Sequence, residues 1–132
     1  MELRKSSTEI KNHIHECLQD YNRSFMNDYQ DFSFHFEEDG IVIAGVVAES
    51  VSDTIEVSYL FVEESHRKKG LGKRLLSVFE ENGKNARMKR ILLNTYSFQA
   101  PEFYKKCGYE QIAEITPCFG HHSQFYFVKN IE

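Results

Sequence analysis

The sequence predicts an α+β fold, an α/β sandwich in which a mixed β-sheet carries helices on its faces. Three observations predict it. Two long stretches place apolar residues at helical spacing, and several shorter ones place them at period two or in short unbroken runs. The order along the chain is helix, strands, helix, strand, helix, strands, which is the order of a layered sheet-and-helix domain. No proline-rich or low-complexity linker divides the 132 residues, so residues 1–132 are expected to form a single domain.

Each element has its own signal. Residues 1–5 are expected as a short first strand. Residues 8–21 carry Ile10, Ile14, Cys17, Leu18 and Tyr21 at helical spacing, with Ser7 or Thr8 able to cap the start. Phe32, Phe34 and Phe36 alternate with polar residues, the period of a half-buried strand, and Asp39-Gly40 then reads as a hairpin turn. Residues 41–48 are almost wholly apolar, as in a strand covered on both faces, with Gly45 marking a bulge or a close backbone approach. After a polar loop at 49–53, residues 54–62 are β-branched and aromatic and form the next strand. A helix is expected over 71–82 with Leu71, Leu75, Val78 and Phe79 on its core face and Gly83 as its C-terminal cap. A buried strand at 90–95, a short helix at 100–106 opened by Pro101, and strands at 109–115 and 124–128 complete the set.

Composition excludes several classes. Hydrophobic residues make up 41% and charged residues 27%, the balance of a folded soluble chain. No apolar run spans a bilayer and no secretory signal opens the chain, so no membrane association and a cytoplasmic location are expected. Cys17, Cys107 and Cys118 are odd in number and widely spaced, which favours free thiols. The net charge of −4 argues against nucleic acid as a partner. Cys118, His121 and His122 match no zinc spacing, and no metal is expected; a loop before the last strand, touching a substrate, suits them better.

Against that acidic background, His66, Arg67, Lys68, Lys69, Lys73 and Arg74 crowd into nine positions around Gly70 and Gly72. Glycines between a strand and a helix let the backbone turn tightly, and the free N–H groups of a helix start attract a phosphate or pyrophosphate. The spacing is R-x-x-G-x-G; the Walker and Rossmann patterns are absent. A surface turn with helix-entry glycines is the competing reading.

A second block, Ala100-Pro101-Glu102-Phe103-Tyr104-Lys105-Lys106-Cys107-Gly108-Tyr109, follows about thirty residues later. With these two blocks the sequence resembles the GNAT superfamily of acetyl-CoA-dependent N-acetyltransferases over roughly residues 40 to 128. The resemblance implies a mostly antiparallel sheet splayed in its middle, with acetyl-CoA as co-substrate and a primary amine as acceptor. It implies that backbone amides along Arg67, Lys68, Lys69, Gly70, Leu71, Gly72 and Lys73 hold the pyrophosphate, and that the backbone of Leu60, Phe61 and Val62 pairs with the pantetheine arm. Tyr104 is implied as general acid and Glu56 as general base. Ser97 stands where many members place an asparagine that contacts the pantetheine arm.

Each role has a plainer competitor: Tyr104 as a half-buried core aromatic, Glu56 as a solvated strand residue. By simple alternation, Glu56 shares a face with Ser58 and Leu60, away from Ile55, Val57 and Tyr59. The alternative function is a degenerate member that senses acyl-CoA without turnover. The chain is expected as a monomer or a homodimer.

Overall fold

The computed structural model describes all 132 residues. Helix α1 spans Thr8–Asn22, and strands β1 (Gln30–Asp31), β2 (Phe34–Glu38), β3 (Ile41–Val51) and β4 (Thr54–Val62) follow it. A 3-10 turn at Glu64–His66 leads to helix α2 (Leu71–Asn85), strand β5 (Arg90–Tyr96), helix α3 (Pro101–Lys106) and strands β6 (Glu110–Ile115) and β7 (Gln124–Asn130). Seven strands form one mixed sheet in the order β1-β3-β4-β5-β7-β6, with β2 also paired to β3. Only β4 and β5 run parallel; every other pair is antiparallel. The parallel pair needs a crossover, and α2 is that crossover.

Local chemistry sets the element ends. Ser7 caps α1 by accepting a hydrogen bond from the Ile10 N–H at 3.2 Å. The β2–β3 hairpin turns on Asp39 and Gly40, both at positive φ (53° and 76°), as a two-residue loop that matches strand twist requires. Residues 1–7 form neither strand nor helix, so the expected first strand is absent; no sheet edge pairs with it, and Met1 and Leu3 are fully exposed. Strand β3 continues to Val51, because its pairing with β4 leaves only Ser52 and Asp53 to turn the chain.

The core lies between one sheet face and helices α2 and α3. Ala44, Val46, Ala48, Ile55, Val57, Ile91, Leu93 and Phe127 from the sheet meet Leu75, Leu76, Phe79 and Tyr104. The run at 41–48 is not covered on both faces: Ala44, Val46 and Ala48 are buried, while Val42 and Val47 stay about half exposed, because no helix lies over the far side. Gly83 does not end α2. It is buried inside the helix, where a Cβ would come 2.8 Å from Ile55 Cδ1 and 3.1 Å from Ile131 Cδ1. Its missing side chain lets α2 lie close on β4.

A polar clamp closes the far end of this layer. Tyr109 donates its hydroxyl to Glu80 of α2 at 2.8 Å. Lys129 of β7 donates to the same carboxylate at 2.9 Å and to the Cys107 carbonyl at 2.8 Å. Glu80 and Lys129 are mostly shielded from water, so deleting either leaves a charge without its partner.

Candidate active site

Strands β4 and β5 meet only at their starts. Thr54 pairs with Arg90, Ile55 with Ile91 and Glu56 with Leu92; beyond these the strands part. The cause is visible in β4. Its register against β3 shifts between Val47 and Ala48, so that Val47 faces Tyr59 while Ala48 faces Val57. Ser58 is therefore an extra residue, a β-bulge, placed just past the last pair with β5. A bulge bends its strand and sharpens the twist, which opens a V between β4 and β5. Along residues 57–62 the β5-facing side of the β4 backbone has no strand partner.

The bulge also overturns the simple alternation. Ile55, Val57, Leu60 and Val62 face the core, and Glu56 shares the far face with Tyr59 and Phe61 rather than with Leu60. One inserted residue reverses every later side chain.

At the open end of the V, the chain turns into α2. Lys68 and Gly70 both adopt positive φ (62° and 81°), and Gly70 is the N-cap with no side-chain hydrogen bond to the helix start. The first N–H groups of α2 are thus left without a protein acceptor at its positive end. A Cβ on Gly70 would meet nothing within 4 Å, so the turn that leads into α2 is itself uncovered. Lys68, Lys69 and Lys73 are exposed, and none has a carboxylate within salt-bridge range. Arg67 is tied down instead: its Nε donates to the Val62 carbonyl at 3.0 Å and closes the loop onto β4. Arg74 lies over the Phe36 ring at 5.0 Å. Gly72 points inward, where a Cβ would meet Phe103 at 3.2 Å and Val62 at 3.7 Å. It sets the contact between α2 and α3.

Tyr104 of α3 is 6% exposed and packs against Phe103, Tyr109 and Phe127. Its hydroxyl makes no hydrogen bond to the protein. Since no buried side-chain polar atom lacks a partner, that oxygen opens to solvent. Burial of the ring, with a smaller contribution from Cys107, raises the phenol to about 12, so it keeps its proton at neutral pH. Phe103 beside it is half-buried, against Gly72. Burial, then the Glu80 carboxylate, pushes the Cys107 thiol up, the opposite of what a nucleophile needs.

The profile of the acetyltransferase (GNAT) domain matches residues 3–123. The chain belongs to the GNAT acetyltransferase family. Among solved structures it is similar to an acetyltransferase from Bacillus cereus ATCC 14579, at 29% identity and a TM-score of 0.84, covering 98% of this chain and 97% of that one. A protein of Agrobacterium tumefaciens assigned as an acetyltransferase matches at 22% identity and a TM-score of 0.86, over 98% and 97% of the two chains. A Bacillus anthracis protein assigned as a streptothricin acetyltransferase, solved with acetyl coenzyme A, matches at 19% identity and a TM-score of 0.67, over 82% of this chain and 66% of that one. No curated protein matches the sequence significantly.

Within this GNAT chain, Ser97 sits in the β5–α3 connection. It accepts a hydrogen bond from the Ser123 N–H at 3.0 Å, and its own N–H donates to the Ser123 carbonyl at 2.9 Å. Its hydroxyl is thus engaged in joining that loop to the start of β7. The same junction gathers around His122 three aromatic rings that carry no sequence signal of their own, Tyr96, Phe98 and Phe119. Tyr96 stacks on Phe98 and meets Phe119 edge-on, and His122 meets Phe98 edge-on, with centroids 4.8–5.5 Å apart. These rings come from the end of β5 with the loop after it and from the loop before β7, more than twenty residues apart, and the β5–β7 pairing brings them together. Cys118 is half-buried nearby, its sulfur 3.7 Å from Gln124 Oε1. No helix of the chain is long and apolar enough to cross a membrane.

Proposed function

We propose that this chain transfers the acetyl group of acetyl-CoA to a primary amine, by direct attack within a ternary complex formed by one domain over residues 1–132. The observation that carries the reading is the V between β4 and β5, with an uncapped, lysine-flanked helix start at its open end. A pantetheine arm has peptide-like amides, and the unpaired backbone of Leu60, Phe61 and Val62 offers them a strand edge. The amides from Lys68 to Lys73 would receive the pyrophosphate, and Lys68, Lys69 and Lys73 would draw the polyanion in. Arg67 would act through its hold on Val62, and Ser97 through the loop it fixes.

Chemistry follows from the remaining groups. The amine nitrogen, once deprotonated, forms a bond to the thioester carbonyl carbon, and the carbon–sulfur bond breaks. Glu56 lies beside the apex of the V and is exposed, so it would accept the amine proton directly or through water. Tyr104 has a hydroxyl free of protein partners that keeps its proton at neutral pH, so it would donate a hydrogen bond to the departing sulfur; its burial raises the pKa and makes it a weaker acid than a free phenol.

Thiol release from acetyl-CoA, measured with and without a panel of amines, tests the reading. Amine-dependent release is expected, and Tyr104→Phe should lower turnover about 10²- to 10⁴-fold while CoA affinity holds. Tight CoA binding with no release for any amine would favour an acyl-CoA sensor. Full turnover in Tyr104→Phe would remove this phenol from the chemistry.

A further inference from the structure

Helix α1 carries an apolar stripe left largely uncovered; only the Phe25 ring, itself exposed, lies against it, 5.9 Å from Tyr21. Ile10, Ile14, Leu18 and Tyr21 share one face and are 47%, 56%, 56% and 70% exposed. No residue of α1 is buried. A helix of this length is marginal in water by itself, and such helices draw their stability from packing their stripe on something.

The same chain bears a second bare apolar surface. On the sheet face opposite α2, Val47 pairs with Tyr59 and Gly45 with Phe61. Val47 and Phe61 are about half exposed and Tyr59 more so, and Gly45 between them is flanked by His35 of β2, whose Cβ lies 3.4 Å from where a Cβ on Gly45 would stand.

Within one chain these two surfaces do not meet, and the connection explains why. The N–H groups of Phe25 and Met26 donate to the Asn22 carbonyl at 2.9 and 2.7 Å, which turns the chain tightly at the helix end. The Asn27 carbonyl accepts from the Ser52 N–H at 3.2 Å and fixes the next residue to the β3–β4 turn. Only residues 23–26 join the helix to that fixed point, so α1 is aimed off the body of the molecule. Short hinges of this kind favour exchange between copies.

We propose that two copies of this chain exchange their α1 helices, each helix lying across Val47, Tyr59 and Phe61 of the other about a two-fold axis. Reciprocity selects a second copy as the occupant. Each chain offers one apolar helix and one bare sheet face, and two copies cover all four surfaces in a closed assembly. A foreign helix would cover the sheet and leave α1 bare. In such a pair a helix about 22 Å long lies on a sheet face twice over, so the contact is doubled toward the total of about 1,600 Å² that stable interfaces bury. Glu56 lies on the same face, so the exchanged helix also borders it.

Light scattering of the full chain at micromolar concentration should report a dimer, and Ile14→Asp with Leu18→Asp should make it monomeric. Cys17 lies on the α1 stripe and allows a second measurement that leaves the helix intact. With Cys107 and Cys118 replaced by alanine, Val47→Cys, Tyr59→Cys and Phe61→Cys are introduced one at a time and oxidised. At least one should give a disulfide-linked dimer on a non-reducing gel. If the double aspartate variant does not fold, the cross-links alone decide. A monomeric wild type, a dimer that survives both aspartates, an internally linked monomer or no link at any of the three positions would each overturn the proposal.

Discussion

Helices α1 and α2 are both 15 residues long, and both carry apolar residues at helical spacing. One buries Leu75, Leu76, Phe79 and Gly83; the other buries nothing. Periodicity states that a helix has a face, and says nothing about the surface that receives it. Helix α2 is bound at both ends to strands of the same sheet, β4 before it and β5 after, so its apolar face has nowhere to go but down onto that sheet. Helix α1 has a strand on only one side and leaves through a tight turn. The difference between them is one of connectivity, not of composition.

The contrast can be strained first at the centre of α2. Phe79 is fully buried, and Phe79→Ala should cost about 3–5 kcal/mol in urea unfolding, the range for a large buried ring. A loss below about 1 kcal/mol would mean that α2 holds the sheet no more firmly than α1 does.

The layer that α2 shares with α3 has a pH signature. Folding raises the Tyr104 phenol to about 12, whereas the unfolded chain ionises it near about 10. Its contribution is complete below pH 10 and is lost as pH rises from about 10 to 12, a fall of about 2–3 kcal/mol. Tyr109 moves the same way through burial and the neighbouring Glu80 carboxylate. Urea midpoints measured across that window should drop, and Tyr104→Phe should flatten part of the drop. An unchanged slope in the variant would assign the alkaline loss to other groups.

A finer probe is the closeness of α2 to β4. Gly83→Val forces branched carbons against Ile55 and Ile131 and should cost about 1–3 kcal/mol, the usual penalty of overpacking. The smallest effect belongs to α1. Leu18→Ala trims a side chain that is 56% exposed and lies outside the core, so at the lowest usable protein concentration it should shift stability by less than about 0.5 kcal/mol. A concentration-dependent loss in the same variant would sharpen the comparison by locating the surface that receives α1 on another molecule.

Much of the fold was legible because its signals are local. The hairpin at Asp39-Gly40, the Ser7 cap and the strand at 54–62 each depend on a few neighbouring residues, and the structure has all three. The expectations that failed depend on what comes near in space. Gly83 has the look of a helix cap and is a packing contact, since Ile55 and Ile131 are distant in sequence. Residues 41–48 have the look of a doubly covered strand, because an apolar run does not say whether a second layer will arrive.

The sequence alone determined the loop that joins β4 to α2. Glycine at positive φ, free amides and clustered lysines are local properties, and they carry the family resemblance wherever the chain goes. Only the tertiary structure decided the face on which Glu56 lies and the opening in front of it. Both follow from Ser58, a residue with no signal of its own, which becomes a bulge because β3 offers it no partner. A register is a relation between two strands, and a single strand does not contain it.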